Sequence, residues 1–278
     1  MLSGLRTIFL ETTLRWPPLE GYTIKKEAIR GLFNKVFDPG GYRYENLELQ
    51  ADATTLSTKY SSGGQSVCRF GPDSLTIQEK TSPNTSLEGF VEAVMTVLGG
   101  LNQDEVPPFF VQQCKVECLA QPSNVENSLV LLAARAACVY DSIEPFARPP
   151  SHFGIRFRFQ PTAVVETGTI EHHDSENIAD QPSEAKTENQ DKSLERVRQI
   201  EGFVAVRFET YAKDVSQVWM EVTASYPAAD RPYLLSDTTK MANNIRETHQ
   251  FLVDRSKRFL DQFDTKSDDD RDLKAEGQ

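Results

Sequence analysis

The chain has 278 residues, 38% of them hydrophobic and 26% charged, with a formal net charge of −11. That length supports one large core or two modest ones, and the composition is that of a soluble globular protein. No apolar run approaches the ~20 residues of a membrane span, and the N-terminus "MLSGLRTIFLETTLRW" lacks the apolar stretch and small-residue cleavage site of a signal peptide.

The charge is unevenly placed. Glu166–Arg196 holds nine acidic and three basic residues, and Asp264–Gln278 holds six acidic and three basic, which leaves about −2 for the rest. Both segments are poor in aromatic and β-branched residues, so they cannot bury enough apolar area to offset their ordering entropy. They are predicted to be disordered: a long acidic insertion at 166–196 and an acidic tail at 264–278. The folded part is nearly neutral, and global charge says little about what its surface binds.

In chain order, "TIFLETTLRW" alternates, with Ile8, Leu10, Leu14 and Trp16 on one side and Phe9, Glu11, Thr13 and Arg15 on the other. This is a half-buried strand. "TIKKEAIRGLFNKVFDPGG" has Ile29, Leu32, Phe33 and Val36 at helical spacing. Short strands follow in "YRYENLELQAD", "TTLSTKYSSGG", "QSVCRFGPD" and "SLTIQEKT", separated by hairpin turns. "TSLEGFVEAVMTVLGGL" closes this half as a helix that Ser86 would cap and Gly99-Gly100 would end. A similar order recurs. "FFVQQCKVECLAQP" is a strand and "NSLVLLAARAACVYDSIEPF" a buried helix that carries Cys138 as a small hydrophobe. "SHFGIRFRFQPT" is a strand, and "EGFVAVRFETYAKD" and "VSQVWMEVTASYP" pair as a hairpin. "NNIRETHQFLVDRSKRFLDQF" ends the chain as a helix with Ile245, His249, Leu252 and Phe259 near one face.

The expectation is therefore an α+β protein of duplicated β-α-β(3–4)-α halves, 1–104 and 105–263, forming one antiparallel sheet with helices on one face. This order resembles the fold of the TATA-binding protein, in which two such halves make a saddle-shaped sheet. "FGIRFRF" and "NNIRETHQFLVDRSKRFL" also resemble a family of uncharacterised bacterial proteins of about this length. The resemblance implies a fold and carries no activity.

With one face covered, the other meets solvent or a partner. Alternation places Glu11, Thr13, Arg15, Asn46, Glu48, Gln50, Gln113, Lys115, Glu117, Arg156, Arg158, Gln160, Arg207, Glu209, Tyr211, Gln217, Trp219, Glu221 and Thr223 there. Five acidic and five basic residues balance. A phosphate-binding saddle should be net basic and should carry apolar wedges in both halves, and Trp219 has no counterpart in the first. A solvated face of cross-strand charge pairs, a protein-binding or homo-oligomer surface and, last, a nucleic-acid surface remain open. The candidate contact residues are Lys115, Arg156, Arg158, Arg207 and Trp219.

No catalytic signature is present: there is no Gly-x-Ser-x-Gly elbow, no phosphate loop and no metal spacing. His172-His173-Asp174 lies in the acidic insertion, His152 starts a strand, and His249 is read as a packing histidine. Cys68, Cys114, Cys118 and Cys138 are expected as free thiols, since Cys114 and Cys118 stand about 13 Å apart along one strand face. The reading is a non-enzymatic cytoplasmic interaction or assembly module without cofactor, metal or membrane. A nucleic-acid binder and a small-molecule-binding domain with a pocket between helices and sheet are the alternatives.

Overall fold

The structure is a computed structural model that describes residues 1–17, 26–36, 44–61, 63–80, 86–102, 104, 106–139, 150–161 and 202–264. The expected acidic insertion and most of the expected acidic tail lie outside these residues, as does His172-His173-Asp174.

Among the described residues the fold is α+β, built on one nine-stranded antiparallel sheet. Its strands are β1 (Ser3–Arg15), β2 (Asn46–Leu49), β3 (Thr54–Lys59), β4 (Gln65–Phe70), β5 (Ser74–Lys80), β6 (Val111–Gln121), β7 (Gly154–Phe159), β8 (Val204–Thr210) and β9 (Val218–Pro227). The spatial order is β2-β3-β4-β5-β1-β6-β9-β8-β7. The two long strands β1 and β6 pair at the middle, with Glu11 opposite Lys115 and Thr12 opposite Cys114.

Strand alternation sorts the side chains as period two requires. Leu10, Thr12 and Leu14 of β1, Cys114, Val116 and Cys118 of β6, and Met220, Val222 and Ala224 of β9 are buried. One apolar cluster runs from Leu56 and Leu75 to Val206 and Phe208. In β1 the alternation breaks. Thr7 pairs with Cys118 and Phe9 with Glu117, so Ile8 is the extra residue of a bulge. The bulge puts Thr7, not Ile8, on the buried side, where its hydroxyl lies 3.4 Å from Cys118 Sγ and 3.1 Å from His249 Nε2.

Helix α1 spans Lys26–Val36 and α2 spans Leu87–Gly100. Ser86 caps α2 by accepting from the Gly89 amide at 3.0 Å. A Cβ at Gly100 would collide with the Leu32 side chain of α1, which would have to move to admit it. The terminal helix is continuous but changes pitch: α3 (Thr238–Gln250), a π-helical stretch (Phe251–Ser256) and α4 (Lys257–Asp261). The wide turn adds a residue and shifts the buried stripe. It runs through Ile245, Leu252, Ser256 and Leu260, while Phe259, expected on that stripe, is half-buried. α3 is tied to the sheet by polar bonds. Buried Gln112 donates to Thr12 Oγ1 at 3.0 Å and to the Met241 carbonyl at 3.1 Å, and it accepts from Asn244 at 2.8 Å. Tyr226 and Thr248 hydroxyls meet at 2.9 Å.

Two expectations are corrected. Of the helix expected over "NSLVLLAARAACVYDSIEPF", residues 140–146 lie outside the described residues, and Val130–Ala136 is a π-helical stretch in which Leu131, Leu132 and Ala133 are buried. The chain leaves it at Cys138, which has φ +53° and is exposed, not a buried hydrophobe. Asp264, read as the first residue of the acidic tail, is 1% exposed. Its carboxylate accepts the Ser123 and Asn124 amides at 2.9 and 2.8 Å. Cys68, Cys114 and Cys118 are buried free thiols, and burial pushes the Cys114 thiol up to about 12 and Cys118 up to about 11.

Candidate contact surface

The sheet register collects the sequence-predicted residues on one side of the sheet. Arg156 of β7, Arg207 of β8, Glu221 of β9, Glu117 of β6 and Phe9 of β1 form one row of direct cross-strand neighbours. The next row on that side is Arg158, Ala205, Thr223, Lys115 and Glu11. Trp219 stands opposite Glu209 one row beyond.

At the centre Lys115 sits between two carboxylates, with Nζ 2.7 Å from Glu117 and 2.8 Å from Glu221. It also lies 5.4 Å from the centroid of Phe9. Burial alone would lower the Lys115 pKa, but hydrogen bonds to the two carboxylates outweigh it and hold the ammonium form. Glu11, directly opposite, is pushed above the ordinary carboxylate range by burial, opposed by Lys115 and reinforced by Glu117 and Glu221. Glu117 accepts from the Trp219 indole at 3.1 Å, which fixes the ring. The Arg207 guanidinium lies 5.4 Å from that ring and donates Nε to Glu209 at 2.6 Å. Glu209 lies 3.6 Å from His152.

Three of the five candidate residues are therefore already engaged. Lys115 is paired with acids, while Arg207 and Trp219 are stacked and bonded. Arg158 has its guanidinium 5.0 Å from the Phe203 ring. Arg156, exposed, makes no hydrogen bond or ion pair among the described residues. Glu48 lies at the far edge of the same side, opposite Thr55, whereas Gln50 lies beyond the end of β2 and bonds Glu48 at 2.8 Å.

Two features were missed by sequence reasoning. One is an apolar groove of about 270 Å³ lined by Phe157, Phe159, Val206, Phe208, Phe251 and Phe259. Its rings touch in sequence, Phe157 edge to face with Phe259 at 5.2 Å and Phe208 stacked on Phe259 at 5.5 Å, and Phe159 is 50% exposed. The alternation in "FGIRFRF" carried half of this signal. The other half needed the π-helical turn that sets Phe251 and Phe259. The second feature is a cavity of about 450 Å³ near the start of α3, lined by Tyr226, Tyr233, Lys240, Asn243, Asn244 and Glu247. Among the described residues no group of His, Cys, Asp or Glu is placed to hold a metal ion. No helix of the described residues is long and apolar enough to cross a membrane. Comparison with protein-family models, with curated proteins and with solved structures finds no match.

Proposed function

We propose that the chain is a non-enzymatic, cytoplasmic protein-interaction or assembly module that binds through the polar side of its sheet. The observation that carries this is the patch around Trp219, an indole and a Phe9 ring held at fixed positions by Lys115, Arg207 and Glu117 on a rigid sheet. An aromatic and an arginine presented together on a pre-ordered surface are what protein interfaces are enriched in. The register adds Lys59, Arg69 and Lys80 to the five acids and five bases read from the sequence, but the cation at the centre, Lys115, is already paired with Glu117 and Glu221, which suits a protein contact better than a phosphate backbone.

The same reading includes a duplicated, TATA-binding-protein-like architecture with the helices on one face. The strand order supports it: β5-β1 on one side of the central pair is mirrored by β6-β9 on the other, followed by β4 and β8, then β3 and β7. The second half has no counterpart of β2 among the described residues.

The test is affinity capture and sedimentation velocity with the full chain and with Trp219→Ala and Arg207→Glu variants that retain the wild-type circular dichroism. Loss of a defined partner or oligomer in both variants is expected. An unchanged interaction profile overturns the reading, and binding of duplex DNA that falls steeply with salt would replace it with the nucleic-acid alternative. The Tyr226–Glu247 cavity favours a second reading, small-molecule binding, because its size lies within the range of ligand pockets. Native mass spectrometry of the purified chain, searched for a co-purifying molecule, tests it.

A further inference from the structure

β7 is the last strand in the sheet, and its outer side has no strand partner among the described residues. Its pairing with β8 shows which of its backbone groups point outward. The Thr210 amide donates to the Phe153 carbonyl at 3.0 Å, so Phe153 and Thr210 form a hydrogen-bonded pair. Antiparallel pairs alternate. Ile155, Phe157 and Phe159 therefore turn their amides and carbonyls toward β8, and Gly154, Arg156 and Arg158 turn theirs away from it. The open edge of β7 thus offers the backbone groups of the same residues whose side chains carry positive charge.

The two sides of β7 differ sharply. On one, Arg156 and Arg158 alternate, and Arg156 stands opposite Arg207, a like-charge neighbour. On the other, Phe157 and half-exposed Phe159 form the rim of the apolar groove, with Phe251 of the terminal helix 6.5 Å from Phe159. A strand laid against this edge would place its alternate side chains on the arginines and in the groove. A second copy of β7 does not suit it. Antiparallel self-pairing about Phe157 would set Arg156 against the copy's Arg158 and the reverse, and like charges facing each other destabilise a pair. Complementarity calls for acids opposite the arginines and apolar side chains beside the phenylalanines. The opposite edge, β2, is only four residues long and carries Glu48.

The geometry points to β7 as an acceptor edge for an extended segment of a partner protein that alternates acidic with apolar residues, added as a tenth strand. This goes beyond the contact reading of the polar side. The side chains of Arg156 and Arg158 belong to both surfaces, but their outward amides belong to the edge alone.

The probe is a fluorescein-labelled ten-residue peptide of alternating Glu and Val, titrated with the full chain and followed by fluorescence anisotropy across a salt series. Binding that weakens with salt is expected, with none for a peptide of alternating Lys and Val. Arg158→Gln removes the charge but keeps the amide, whereas Arg158→Pro removes both and leaves the β8 ladder intact. Arg158→Gln should weaken binding a few-fold and Arg158→Pro at least about tenfold more. Phe159→Ser should weaken it through the groove, while Trp219→Ala, which tests the polar side, should leave it unchanged. In the free chain the Arg156 and Arg158 amides should exchange rapidly with deuterium and become protected on adding the peptide. Equal binding of the lysine peptide, or equal effects of the two Arg158 variants, overturns the proposal. So does protection of both amides in the free chain. If that protection is lost on dilution it places a second copy on the edge, and if it persists it places the chain's own residues there.

Discussion

Arg156 and Arg207 stand directly opposite each other across the β7–β8 pair, two guanidinium groups on the same side of the sheet. Arg207 is held by Glu209 and rests on Trp219, while Arg156 makes no hydrogen bond or ion pair among the described residues. Like charges in direct cross-strand register destabilise a sheet by a few tenths of a kcal/mol and opposite charges stabilise it by a similar amount. Arg156→Glu should therefore raise the stability of the chain by about 0.5–1 kcal/mol, read as a higher urea midpoint at unchanged slope. A variant that is more stable and yet binds the alternating Glu-Val peptide less well would show that Arg156 serves binding at the expense of folding. A lower midpoint would mean that Arg156 has a stabilising neighbour in the folded chain.

Lys115 is the cation on which three glutamates converge. With its ammonium replaced by a thioether in Lys115→Met, Glu117 and Glu221 lose their shared partner and stand beside Glu11, with Arg15 and Arg207 as the neighbouring cations that remain. The pair is partly exposed, so solvent screens the loss, and about 1–2 kcal/mol is expected at neutral pH. The sign with pH follows. Burial already raises the Glu11 pKa and Lys115 opposes that rise, so without the lysine Glu11 is easier still to protonate in the folded chain than in the unfolded one, and the variant gains relative stability as pH falls. The difference between wild type and Lys115→Met should narrow between pH 7 and pH 5 in matched urea titrations. A difference that widens over that range would rule out crowding of carboxylates as its origin.

His249 joins the terminal helix to the β1 bulge through the Thr7 hydroxyl. Burial holds its imidazole below the ordinary value, so the unfolded chain takes up a proton at higher pH than the folded one does. Its contribution is present in full above the unfolded value of about 6.5 and is lost as pH falls through the lower folded value. Thermal unfolding midpoints measured from pH 8 to pH 5 should decline below about 6.5. His249→Gln, which keeps a polar group near Thr7 but does not titrate, should flatten that decline. If the two profiles are parallel, His249 is not the group that titrates.

Strand positions were legible because alternation is local. "TTLSTK", "QSVCRF" and "GIRFRF" each fix their own inside and outside, and Ser86 is recognisable as a cap from its place before an apolar helix. The face of the candidate surface followed from the same periodicity. What was not legible is what depends on a neighbour distant in sequence. The Ile8 bulge exists only relative to β6, and the collision that requires glycine at Gly202 is with the Ser225 carbonyl of β9. The π-helical turn at Phe251–Ser256 shifts the stripe of the last helix by a residue, and composition gives no sign of it. Glu117 lies two residues from Lys115 on β6, but the engagement of Lys115 by Glu221 needed the strand order, which brings β6 against β9. Placing the candidate residues on one side could not show that three of the five, Lys115, Arg207 and Trp219, were already bonded.

Asp264 illustrates how far one buried carboxylate reaches. It lies just past α4, yet it accepts the Ser123 and Asn124 amides from the loop after β6 and the amino group of Met1 at 3.1 Å, and its own carbonyl accepts from the Asn124 side chain at 2.8 Å. Burial would raise its pKa, but the two amides and the amino group outweigh that and hold it below the ordinary carboxylate value. Asp264→Ala leaves two backbone donors without their acceptor and should cost about 2 kcal/mol. Asp264→Asn retains one carbonyl oxygen and should cost less. The wild-type advantage is present above the unfolded carboxylate value of about 4 and is lost as pH falls through the lower folded value. Urea titrations at pH 7 and pH 3 should therefore show the gap between wild type and Asp264→Ala shrinking at the lower pH. Faster hydrogen exchange at Ser123 and Asn124 in the alanine variant would locate the loss at the loop after β6. Unchanged exchange there would mean that the loop is held by other contacts and that Asp264 secures only the end of the helix.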